Sequence, residues 1–142
     1  MEADYAWSHK VVLVVEDDPS SQLLLKAILS KTGIKIIVVD NGNAAIQLIK
    51  DAEKVDLILM DIKLKGISGL EATRQIKSIM PNMPVIAQTA CAISGDMEKC
   101  IAAGCSAYLT KPISSSKLLE TIDYFFRRSK AQELVDLVSF TN

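Results

Sequence analysis

Asp61 ends a short apolar run, Leu57-Ile58-Leu59-Met60, and is followed by a loop, Ile62 to Gly69, that contains two glycines. A run of this length bounded by turn signals reads as a buried parallel strand. Parallel α/β domains keep their chemistry just past the C-terminal ends of such strands, which is where Asp61 stands. Another run, Val11 to Val15, stops at Glu16-Asp17-Asp18-Pro19. Val85 to Ala90 reads as a strand ending in Thr89-Ala90, and Ala107 to Thr110 leads into Lys111-Pro112. Taken singly, each ending has an ordinary explanation. Asp18 before Pro19 suits a helix cap, acidic side chains complement a helix N-terminus, and threonine favours strands. An acidic pair, a lone aspartate, a threonine and a lysine at four of five consecutive strand ends form a constellation that those separate explanations do not reproduce.

The chemistry follows from the residue types. Carboxylates brought together repel, and one stays protonated unless a cation sits among them. Oxygen-only donors on loops suit a hard divalent ion, and Mg2+ takes a few carboxylates while keeping waters that a phosphate can displace. Such an ion would neutralise the oxygens of an incoming phosphoryl group and leave Asp61 to attack phosphorus, forming an aspartyl phosphate. Lys111 would add a point charge, and Thr89 a hydroxyl.

The elements that must position these groups are legible in outline. Ile36 to Val39 supplies the remaining strand, closed by Asp40-Asn41-Gly42. A helix opens at Pro19, carries Leu24, Ala27 and Ile28, and ends near Gly33. Others are marked by Ala45, Leu48 and Ile49; by Leu70, Thr73, Ile76 and Met80; by Met97, Cys100 and Ile101; and by Leu118, Leu119, Ile122, Phe125 and Phe126. Strands alternating with helices predict a parallel sheet covered on both faces. The usual strand order for this element count is 2-1-3-4-5, which sets the first strand beside the third, ~4.8 Å away. Glu16 and Asp17 would then meet Asp61.

Bulk properties exclude several classes. The chain has 142 residues, 49% apolar and 23% charged, as expected of one globular domain. A net charge of −1 argues against nucleic-acid binding. No run is long enough to cross a bilayer and the N-terminus lacks the parts of a signal peptide, so no direct membrane contact and a cytoplasmic location are expected. Three cysteines (Cys91, Cys100, Cys105) make no disulfide framework, and His9 alone offers little to zinc. Residues 1–9 read as a lead-in containing Trp7, residues 10–128 as the domain, and residues 129–142 as a tail or helix extension through Leu134, Val135 and Val138.

In its motifs the chain resembles the receiver domains of two-component signalling. The matching pieces are Val14-Val15-Glu16-Asp17-Asp18-Pro19, Leu59-Met60-Asp61, Gly69-Leu70-Glu71-Ala72-Thr73-Arg74, Gln88-Thr89-Ala90, Gly104 to Leu109, and Thr110-Lys111-Pro112. The resemblance spans roughly residues 10–127. It implies a flavodoxin-like (βα)5 fold and a phosphoacceptor at Asp61. It implies Mg2+ held by Glu16, Asp17, Asp61 and the Lys63 carbonyl, and a phosphoryl group bound by Thr89 and Lys111. It also implies a switch aromatic at Tyr108, which turns with Thr89 to alter a surface of the fourth helix, fifth strand and fifth helix. A cis Lys111-Pro112 bond, an isomer that proline makes accessible, belongs to the same pattern. The implied partner is a histidine kinase or histidine phosphotransfer domain, with a homodimer through the switching surface as a further expectation.

Lys65 departs from the pattern, since proline usually stands four residues after the phosphoacceptor; a more mobile loop is expected. Lys63 and Cys91 occupy positions that tune phosphoryl lifetime in this family. Trp7-Ser8-His9-Lys10 is similar to the segment preceding receivers in hybrid histidine kinases, so a hybrid parent is expected, with a stand-alone regulator as the alternative. An aspartyl-phosphate phosphatase would carry a second acid where this chain has Lys63, and a flavin carrier would not place Glu16-Asp17-Asp18 where phosphate must sit.

Overall fold

In the computed structural model, which describes residues 4–90 and 95–141 apart from the side chains of 131–133 and 135–141, strands and helices alternate along the chain. The strands are β1 (Val11–Val15), β2 (Lys35–Val39), β3 (Leu57–Asp61), β4 (Val85–Thr89) and β5 (Ala107–Thr110). The helices are α1 (Pro19–Ser30), α2 (Gly42–Lys50), α3 (Gly69–Ile79), α4 (Asp96–Ala103) and α5 (Ser115–Thr141). All strand pairs are parallel and the order is β2-β1-β3-β4-β5, the doubly wound order expected from the sequence.

Alternation along the strands divides the core into two layers. Val12, Val14, Leu57, Leu59, Ile86 and Leu109 face α1 and α5, packing on Leu25, Leu29, Leu118 and Ile122. Leu13, Val15, Ile58, Met60 and Val85 face α2 and α3, packing on Ile46, Ile49, Ala72 and Ile76. β1, β3 and β4 are buried along their full length, as central strands of a covered sheet must be.

Helix starts follow their capping residues. The Asp18 carboxylate accepts from the Ser21 N–H at 2.9 Å, with Pro19 in the first turn. Asn41 caps α2 and Ser68 caps α3 in the same way. The buried stripe of α1 is Leu25, Ile28 and Leu29, whereas Leu24 is 48% exposed and Leu23 is 70% exposed. The expected face of Leu24, Ala27 and Ile28 is thus displaced by one residue, because among three consecutive leucines it is Leu25 that packs in the layer with Val12 and Val14. On α4 the buried residues are Cys100 and Ala103, and Met97 and Ile101 face outward.

The segment before β1 is part of the packed structure. Trp7 is 5% exposed, donates its N–H to the Thr32 carbonyl at 2.8 Å and meets Phe126 edge-on with ring centroids 5.3 Å apart. Tyr5 stacks on Trp7, and the Lys10 ammonium lies over the Phe126 ring. At 1.5 Å per residue α5 is about 40 Å long and continues well past Phe126 as one helix.

Candidate functional site

Parallel register decides what meets at the C-terminal edge of the sheet. Val15 pairs with Met60, so Glu16 and Asp61 come next on adjacent strands. Asp61 pairs in turn with Gln88, and Thr89 with Thr110. Side-chain alternation places Glu16, Asp61 and Lys111 on the face covered by α1 and α5, and Thr89 and Tyr108 on the opposite face. The loop after β3 is drawn tight by the Gly69 N–H, which donates to the Ile62 carbonyl at 2.9 Å.

The result is an acidic cluster with one ammonium inside it. Glu16, Asp17 and Asp61 each bring a carboxylate oxygen within 4.8 Å of the others. Lys111 Nζ donates to Glu16 Oε1 at 2.9 Å and stands 3.5 Å from Asp61 Oδ2. Asp61 Oδ1 accepts from the Lys63 N–H at 3.2 Å. Glu16 is 1% exposed and Asp61 6%, so these charges sit in a poorly solvated edge, and Glu16 Oε2 has no hydrogen-bond partner there. The Lys111-Pro112 peptide bond is cis. Thr89 is buried at the end of β4, and Tyr108 is half-buried on β5, beside Ala87. Cys91 lies outside the described residues. Cys100 and Cys105 carry free thiols.

Burial, and then the hydrogen bond and charge of Glu16, push the Asp61 carboxyl up to about 7, against the opposing pull of Lys111 and the Lys63 N–H. Burial also raises Glu16, but its hydrogen bonds to Asp61 and Lys111 outweigh that and hold it below the ordinary carboxylate value. The pair titrates together, and burial beside Glu16 favours the proton on Asp61. Three crowded carboxylates, one with an unpartnered buried oxygen, fit a hard divalent cation, which would replace that proton.

A pH dependence follows. The folded protein keeps the Asp61 proton up to about pH 7 while the unfolded chain releases it near 3.8, so this group's stabilising contribution is complete below 3.8 and is lost as pH rises through about 7. In buffer free of divalent ions, the melting temperature is expected to fall between about pH 4 and pH 7 and to level off above that. Asp61→Asn is expected to remove most of that fall, which calorimetry across the range would show.

Two contributors escaped the sequence reading. The Lys65 N–H donates to Asp17 Oδ2 at 3.1 Å, a bond that proline, having no N–H, could not make. Lysine there supplies a tie between the loop and the acidic pair. The other is Gly69, where an added Cβ would overlap the Asp61 carbonyl oxygen and lie 2.8 Å from Ile62 Cα. A backbone approach of that kind leaves no trace in residue spacing.

Comparison with known proteins places this geometry. The family model described as Response regulator receiver domain matches residues 12–123. The chain belongs to the receiver domain family. Among relatives of this receiver, the polar-differentiation response regulator DivK of Brucella anthropi is 41% identical over 115 residues, covering 80% of this chain and 93% of that protein. The hybrid signal transduction histidine kinase I of Dictyostelium discoideum is 40% identical over 120 residues, 79% of this chain but only 7% of that protein. Among solved structures, the receiver domain of a sensor histidine kinase from Pseudomonas aeruginosa, with a magnesium ion coordinated in its active site cleft, superposes with a TM-score of 0.76 at 34% identity, covering 82% of this chain and 96% of that one. The Saccharomyces cerevisiae receiver of Ssk1, solved with the histidine phosphotransfer protein Ypd1, gives a TM-score of 0.76 at 30% identity, covering 84% of this chain and 89% of that one. No described helix of this receiver is long and apolar enough to cross a membrane.

Proposed function

We propose that this receiver accepts a phosphoryl group from a phosphohistidine onto Asp61. The observation that carries the reading is the buried pairing of Asp61 with Lys111 and the two acids that follow β1 at one sheet edge. Glu16, Asp17, Asp61 and the Lys63 carbonyl would hold Mg2+. When bound, the ion supplies positive charge to the phosphoryl oxygens and removes the need for a proton on Asp61. An Asp61 oxygen then attacks phosphorus as the bond to the imidazole nitrogen breaks, and the imidazole recovers its electron pair. Lys111 turns from Glu16 to the phosphoryl oxygens as a point charge. Thr89 binds the same group, and Tyr108 follows it, altering the surface of α4, β5 and α5. Exposed Met97, Ile101 and Tyr124 give that surface apolar contact area for a partner or a second copy.

The donor is a histidine kinase or histidine phosphotransfer domain, met on the cytoplasmic side. Similarity of Trp7-Ser8-His9-Lys10 to hybrid-kinase linkers favours a hybrid parent. The 93% coverage of DivK favours a stand-alone regulator as the second reading. The size of the native protein in its source cells separates the two.

The deciding experiment is intact mass after incubation with acetyl phosphate and Mg2+. The wild type is expected to gain one phosphoryl group, lost on adding a chelator, and Asp61→Asn to gain none. An equal gain by Asp61→Asn would remove Asp61 from this role.

A further inference from the structure

Besides Glu16 Oε2, one other buried side-chain atom lacks a hydrogen-bond partner among the described residues, and it is Gln88 Nε2. The acidic cluster accounts for the first and leaves the second unexplained. Gln88 is 1% exposed in a strand that otherwise reads Val85-Ile86-Ala87, where a leucine would fill similar volume without burying an amide. An unpaired buried donor is a standing cost to the fold, so its presence calls for a use elsewhere.

Its place in the sheet indicates the use. Gln88 pairs in register with Asp61 on β3 and with Leu109 on β5. Alternation puts it on the face of Ile86 and Leu109, the face that also carries Glu16, Asp61 and Lys111. Lys111 starts beyond β5 and reaches Asp61 on β3, so its side chain passes over β4, the strand that carries Gln88. At rest the ammonium serves both Glu16 Oε1 and Asp61 Oδ2. Once it turns to a phosphoryl group, the buried Asp61 Oδ2 loses the ammonium that stands 3.5 Å from it. Gln88 Nε2, uncommitted on the adjacent strand and at the same register, is the replacement at hand.

We infer that Gln88 is a positioning residue whose carboxamide N–H takes over the Asp61 carboxyl group that Lys111 releases when the site is loaded. The inference rests on the phosphoacceptor reading of Asp61. It separates the two functions of an unpaired amide: a cost in the resting protein, and a hydrogen bond in the loaded one.

The test uses beryllium fluoride, a phosphoryl mimic, in excess Mg2+, with the wild type, Gln88→Leu, Gln88→Met and Asp61→Asn. Gln88→Leu is expected to melt no lower than the wild type without ligand, because the unpaired donor is gone. It is expected to bind the mimic about fivefold more weakly, the worth of one net hydrogen bond. In wild-type 1H–15N spectra, the Gln88 side-chain amide pair, assigned by its loss in the variant, is expected to shift on loading. Undiminished affinity in either Gln88 variant overturns the inference; Gln88→Met serves if the leucine variant does not fold. Failure of the wild type to bind more tightly than Asp61→Asn would instead sink the phosphoacceptor reading, and this inference with it.

Discussion

Gly69→Ala is expected to lower the melting temperature by about 10 °C, equivalent to about 3 kcal/mol, and to abolish most phosphoryl gain from acetyl phosphate. Alanine is the better helix former, and at the first position of α3 intrinsic propensity would favour it by up to about 1 kcal/mol. Overlap decides the sign. The new Cβ would overlap the Asp61 carbonyl oxygen and press on Ile62 Cα at 2.8 Å. Both are backbone atoms of the strand end that presents Asp61, so no side chain can turn aside. Relief requires α3 to retreat or the end of β3 to bend. Either movement breaks the 2.9 Å bond from the Gly69 N–H to the Ile62 carbonyl and displaces the Asp61 carboxyl from Lys111. Gly66→Ala is the control. That glycine has φ +82 but open space around it, so alanine there costs about 1 kcal/mol of backbone strain and leaves the site in place. Thermal melts and intact mass on both variants check the expectation; equal losses would show that overlap at Gly69 is relieved locally.

Trp7→Ala is expected to cost about 3–5 kcal/mol, a large part of a domain's usual stability. Trp7 lies outside the residues matched by the family model, yet it is 5% exposed and packs in the same layer as Leu25, Leu29 and Ile122. Its ring packs edge-on against Phe126 in the α1–α5 layer, and its backbone N–H ties the lead-in to the turn after α1. Removal opens a cavity between elements that are each held by other contacts, so collapse would be incomplete. Trp7→Phe keeps an aromatic edge on Phe126 and should lose roughly half as much. Urea unfolding followed by circular dichroism measures both. In the wild type, fluorescence of this single tryptophan should report the same transition. A loss under about 1 kcal/mol for Trp7→Ala would show that the lead-in is dispensable for the packing of α5.

Sequence alone determined the alternation of elements, the strand ends and the types of residue standing there, because buried parallel strands are short apolar runs and the polar residues at their ends break that pattern abruptly. Asp61, Glu16, Asp17, Thr89 and Lys111 were legible for this reason. The phase of α1 was misread by one residue: Leu24, Ala27 and Ile28 fit the helical period, but Leu25, Ile28 and Leu29 are the ones buried on the sheet. Sequence chemistry called for a proton or a cation among the crowded acids but not for its place: burial beside Glu16 favours Asp61, and the Lys111 ammonium stands between the two acids. Trp7, Gly69 and Gln88 owe their importance to neighbours distant along the chain. Periodicity reports which face of an element is buried, whereas contact between elements depends on register and packing, which only the tertiary structure fixes.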